Sequence, residues 1–267
     1  MIRDITIGQY YKADSVIHRL DPRVKLMGTL IFIISLFMGM NIWIYAVVTV
    51  ALAVVIKMSR IPLKFMVRGL KSIVILIIIS AVFNLFLTPG DVLIQIWKLT
   101  ITYQGLKMAI FMVVRLIYLI VGTSLMTLTT TPNNLTDGLE KGLGFLKVIK
   151  VPVHEIAMMM SIALRFIPIL IEETDKIMKA QMARGADFEN GSLIKRAKAM
   201  VPILVPLFVS AFRRANELAM AMEARCYHGS EGRTKMKPLK YEKRDRIAYI
   251  SMVLYLGVII IVKIIGA

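Results

Sequence analysis

The chain has 267 residues, 57% of them hydrophobic, and a mean hydropathy of +0.71. Soluble domains run at roughly 45–50% apolar residues, so an integral membrane protein is indicated and an ordinary soluble domain excluded. The formal charge is +17, from 34 Lys and Arg against 17 Asp and Glu; with no basic groove interleaved with aromatics, this reads as basic loops facing anionic lipid, not as nucleic-acid binding.

The segment "MIRDITIGQYYKADSVIHRLDPR" (1–23) has no apolar h-region, so no cleavable signal peptide is expected. Residues 26–38 ("LMGTLIFIISLFM") and 42–56 ("IWIYAVVTVALAVVI") are apolar runs joined by "GMN", and together they read as a tight transmembrane hairpin. "KMSRIPLKFMVRGLK" (57–71) then carries five Lys or Arg and no acid. A third span is expected over 72–87, a loop holding only the charges Asp91 and Lys98 over 88–105, a fourth span over 105–128 and a fifth over 247–265. The positive-inside rule places the five-cation loop in the cytoplasm, and with it the N-terminus.

Residues 129–246 differ in composition: they hold 20 of the Lys and Arg and 13 of the 17 acids. Such a segment reads as a helical cytoplasmic or interfacial domain inserted before the last span. Its apolar stretches 151–171 and 199–212 are expected at the membrane surface or packed under the spans; if both crossed, the basic segment between them would lie outside, against the charge rule. The expected division is therefore an N-terminal segment (1–25), four spans (26–128), the inserted domain (129–246) and a last span (247–267).

Two amphipathic helices are expected in the inserted domain. The first has the stripe Ile167, Leu170, Ile171, Thr174, Ile177, Met178 and Gln181 and ends in Ala183-Arg184-Gly185. The second has the stripe Phe208, Ala211, Phe212, Ala215, Leu218, Ala219 and Met222 and ends in Ala224-Arg225-Cys226. An arginine in the last turn complements the helix dipole without further purpose. Two matching ends with small alanine shoulders also leave each guanidinium free to capture a partner carboxylate.

Enzymatic chemistry is hard to assemble. No GxxxxGK[ST] phosphate loop occurs, and His18, His154 and His228 are scattered with no metal-ligand spacing. Ser161 and Ser210 lack a nucleophile-elbow context, and the lone Cys226 allows neither an intrachain disulfide nor a multi-cysteine metal site. Arg115, inside the fourth span, is expected to face the protein interior or a headgroup. A self-sufficient secondary transporter would need ionisable groups at the bilayer midplane, for which Arg115 alone is thin support. A membrane enzyme would need a nucleophile and a base on facing spans, and the expected spans contain no histidine.

The stretches "HRLDPRVKL" (18–26), "TLTTTPNNLTDGLE" (127–140), "SIALRFIPILIEE" (161–173), "AQMARGADF" (180–188) and "RRANELAMAMEARCY" (213–227) resemble the transmembrane T component of energy-coupling factor (ECF) transporters. The resemblance implies an all-α membrane protein with about five spans and two long crossing coupling helices. It implies a non-catalytic scaffold joining two cytoplasmic ABC ATPase subunits to a membrane substrate-binding S component, for uptake of vitamins or metal ions. ATP and Mg would be bound by the ATPase partners and no cofactor by this chain. The residues Ala183, Arg184 and Gly185, and Ala224, Arg225 and Cys226, would dock the ATPases; the family pattern has glycine where Cys226 stands.

Overall fold

The computed structural model describes residues 10–71, 73–96, 99–186, 188, 192–229, 236 and 238–265. Residues 1–9, Ser72, Lys98, Asp187 and 230–235, all within features read from the sequence, lie outside the described residues. The chain divides into two compact units: one comprises 8–138 with 239–267, the other 139–238 with 1–7.

The first unit is a helix bundle whose ends are set by local chemistry. Helix α1 (Pro22–Phe37) starts at Asp21, whose carboxylate accepts from the Arg23 backbone N–H, and Pro22 supplies the preset φ of a first helical residue. Asn41 caps α2 (Ile42–Ser59) in the same way, through Trp43 N–H at 3.1 Å. Helices α3 (Leu63–Lys71) and α4 (Val74–Leu87) follow, bent by 64° with respect to one another. Thr102 caps α5 (Tyr103–Thr129) by accepting from Gly105 N–H at 3.0 Å, while its own hydroxyl donates to the Thr88 carbonyl. After α6 (Pro132–Gly142), the bundle is completed by α9 (Lys243–Ile265).

The loop expected over 88–105 contains a short antiparallel ribbon, β1 (Val92–Ile96) paired with β2 (Leu99–Thr102). Most of its residues are β-branched (Val92, Ile94, Ile96, Thr100, Ile101 and Thr102), which suits a strand, and pairing satisfies their backbone groups. The other regular elements among the described residues are helical.

Packing fixes the directions of the bundle helices. Lys25 Nζ donates to the Thr129 carbonyl at 2.8 Å, and a Cβ on Gly122 would meet the Phe32 ring, so α1 and α5 run antiparallel. Asp21 N–H donates to Asp245 Oδ1 at 2.9 Å and Ser35 hydrogen-bonds Tyr255 at 2.7 Å, so α1 and α9 run parallel. The buried core lies between these helices: Leu36, Ile44, Tyr45, Val48 and Ile259 form one cluster, and Leu52, Ile61, Met66, Val121, Leu125 and Leu128 another. The outer faces stay apolar, with Ile75, Leu87 and Val253 each about seven-tenths exposed. That inversion suits a bilayer, which solvates aliphatic side chains.

By length and apolarity, four helices among the described residues can cross a membrane, α2, α5, α7 and α9, and α3 with α4, taken as one bent span, brings the number to five. The number agrees with expectation but the membership differs. α1, expected as the first span, has only 16 residues, about 24 Å of helix. Helix α7, expected at the membrane surface or packed under the spans, is long and apolar enough to cross.

The second unit holds a 3-10 turn (Gly144–Ile149) and two helices of 31 residues each, α7 (Val153–Ala183) and α8 (Leu193–Glu223). Pro168 lies inside α7, and Pro202 and Pro206 inside α8.

Candidate functional site: two arginine-ended helices

Helix α7 ends on Arg184, which serves as its C-cap. Gly185 follows at φ +88°, in the left-handed region. Its N–H donates to the Met182 carbonyl at 2.9 Å, and Ala186 N–H reaches back to the Gln181 carbonyl at 3.0 Å. These two bonds are a Schellman motif, which satisfies helix-end carbonyls that have no helical partner.

The end of α8 repeats this arrangement 41 residues later. Cys226 sits at φ +53°. Its N–H donates to the Glu223 carbonyl at 2.8 Å, and Tyr227 N–H to the Met222 carbonyl at 3.1 Å. Arg225 therefore has the same place as Arg184, one residue before the left-handed turn. Cys226 adopts the glycine conformation despite its Cβ, a cost of about 1 kcal/mol. Ala183, Arg184, Gly185, Ala224, Arg225 and Cys226 are all exposed.

The same 41-residue offset relates the contact between the helices. Glu173 of α7 faces its counterpart Arg214 of α8: Oε2 accepts from Nη2 at 3.1 Å and from Nε at 3.3 Å. Ser210 donates its hydroxyl to Glu173 Oε1. Eleven residues separate Glu173 from Arg184, and eleven separate Arg214 from Arg225. Each arginine thus ends an arm of about 16 Å beyond the clamp.

The packed face of α8 differs from the expected stripe. Ile203 is buried, and Leu207, Ser210, Ala211, Arg214, Leu218 and Met222 are half-buried. Phe208, Phe212, Ala215 and Ala219 are exposed. Apolar periodicity favours that stripe, but the polar clamp sets the rotation of the helix. Phe208 and Phe212 pack on one another, centroids 4.7 Å apart, and with Leu204, Val205 and Val209 they form an exposed apolar face. On α7 the expected stripe is half-buried, except for Ile167, which is 37% exposed.

Other singled-out residues serve the scaffold. Arg115 is buried, donates from Nε to the Tyr45 hydroxyl at 2.9 Å and lies 5.0 Å from the Phe37 ring centroid. In "HRLDPRVKL", Asp21 holds Arg23 through Nε and Nη2, and Lys25 joins the His18 and Thr129 carbonyls. His18 accepts the Ser15 hydroxyl at Nδ1 (2.7 Å) and donates from Nε2 to the Tyr11 carbonyl (3.0 Å). Burial holds its pKa below the ordinary histidine value. His154 pairs with Glu140 at 2.8 Å. Among the described residues no three His, Cys, Asp or Glu side chains converge as metal ligands would.

The fold and this helix pair define a class: an all-α, multi-pass membrane protein with two long helices that end in matched, exposed arginines. A family model described as cobalt transport protein (CbiQ) matches residues 13–236. The chain is 57% identical over 250 residues to the energy-coupling factor transporter transmembrane protein EcfT of Clostridium kluyveri, covering 93% of each chain. It is 56% identical to that of Thermosediminibacter oceani over 94% of each, and 47% identical to that of Bacillus subtilis over 95% of this chain and 96% of the relative. The chain belongs to this family, the ECF transporter transmembrane proteins.

Proposed function

We propose that this chain is the scaffold and coupling subunit of an ATP-driven ECF importer of vitamins or metal ions. Arg184 and Arg225 each dock into one of two cytoplasmic ABC ATPase subunits, which bind ATP and Mg. The N-terminus and the 129–246 segment face the cytoplasm, as the charge bias of the loops favours. ATPase closure moves α7 and α8, and the spans pass the motion to a membrane S component that captures the substrate. The exposed apolar face around Phe208 and Phe212 suits such a membrane partner.

The observation that carries this reading is the repetition of one helix end. A single last-turn arginine is satisfied by the helix dipole. Two exposed arginines in the same Schellman geometry, on equal arms from one clamp, suit two copies or close relatives of one partner fold. A guanidinium fork presents paired donors to a carboxylate. The test is co-purification of Arg184→Glu/Arg225→Glu with an ATPase pair from membranes. Loss of both ATPases with normal membrane insertion is expected; undiminished recovery refutes the docking role.

A further inference from the structure

We infer that the ends of α2 and α9 form a binding pocket for an anionic phospholipid headgroup. A cavity of about 430 Å³ is lined by Asp14, Ser15, Val16, Arg19, Lys57, Met58, Arg60 and Arg244. Four cations face one acid there. Arg19 is engaged by Asp14, and Arg244 by Glu242. Ser15 spends its hydroxyl on His18. Lys57 and Arg60 have no carboxylate in ion-pairing distance among the described residues, and both are exposed. The pocket therefore keeps two cations for a ligand, and the chemistry that answers them is a phosphate.

Position selects the lipid over a free anion. Lys57 and Met58 belong to the last turn of α2, and Arg244 to the first turn of α9; both helices are long and apolar enough to span. Their ends meet the headgroup layer, where anionic lipids attract each nearby Lys or Arg. The lip is amphipathic: Val16 and Met58 are 49% and 44% exposed beside the cations, suited to the glycerol and first methylenes of a chain. Arg60 also holds a left-handed backbone conformation, φ +57°, which turns the chain sharply after α2. A long cation in a position that favours glycine is a strained choice, and strain of this kind gathers at ligand sites.

Native mass spectrometry of the full chain, exchanged from detergent into bilayer discs of phosphatidylcholine with graded phosphatidylglycerol, tests the pocket. The wild type is expected to retain one phosphatidylglycerol in preference to phosphatidylcholine. Lys57→Gln/Arg60→Gln is expected to weaken that preference about twenty-five-fold, at roughly fivefold per cation. The charge-keeping pair Lys57→Arg/Arg60→Lys is expected to retain it, which separates lost charge from lost folding. Equal retention by the Gln pair and the wild type overturns the proposal. So does displacement of the lipid by inorganic phosphate at equal phosphate concentration, which would make the ligand a free anion.

Discussion

Cys226 shows how one residue carries a backbone requirement. The α8 end needs a left-handed residue after Arg225, and this chain supplies cysteine where α7 supplies glycine. Cys226→Gly is expected to stabilise that turn by about 1 kcal/mol, read as slower hydrogen exchange at the Cys226 and Tyr227 amides. Gly185→Ala is expected to do the reverse at the α7 end, by a similar amount. His18 supports a second prediction. Its neutral ring satisfies both neighbours, and burial disfavours the charged form, so the unfolded chain binds the extra proton. This contribution to stability is complete above the unfolded histidine pKa of about 6.5 and is lost as pH falls below it. Melting temperature in detergent should therefore drop between pH 7 and pH 5.5, and His18→Gln should flatten that dependence.

At the scale of elements, the α7–α8 clamp orients both arms. Glu173 and Arg214 are 24% and 37% exposed, so solvent screens their pair. Glu173→Ala is expected to cost about 0.5–1 kcal/mol in thermal unfolding, and Glu173→Arg with Arg214→Glu to recover most of it. A swap no better than the single change would mean that Ser210 holds the contact alone. In the bundle, Gly122 lets α5 approach Phe32 of α1 closely, and an added Cβ would strike the ring. Gly122→Val is expected to cost about 1–3 kcal/mol through overpacking, seen as a lower melting temperature with an unchanged helical signal.

For the whole molecule, the docking proposed for the two arginine tips makes the attachment two-point. Removing one leaves the other as a tether, and rebinding at high effective concentration masks part of the loss. Arg184→Ala or Arg225→Ala alone should then speed ATPase dissociation by tenfold or more in surface-capture kinetics, while the double change abolishes stable capture. Identical dissociation from the single variants and the wild type would remove the two-anchor picture.

Hydropathy, charge bias and the two Ala-Arg ends were local properties, readable in the order of residues. They determined the membrane class, the helical character, the position of the helix ends and the family. Spacing also held a signal that apolar periodicity does not carry: the 41-residue offset that pairs Arg184 with Arg225 also pairs Glu173 with Arg214. Only the tertiary structure decided how that offset is used. Helix rotation is set by which side chains find a partner, so the polar trio of Glu173, Ser210 and Arg214 turned inward and Phe208 and Phe212 outward. Likewise, Lys57, Arg60 and Arg244 are ordinary basic residues in sequence, 187 positions apart at their extremes. They became one pocket because α2 ends at the level where α9 begins, a fact of packing that no local pattern records.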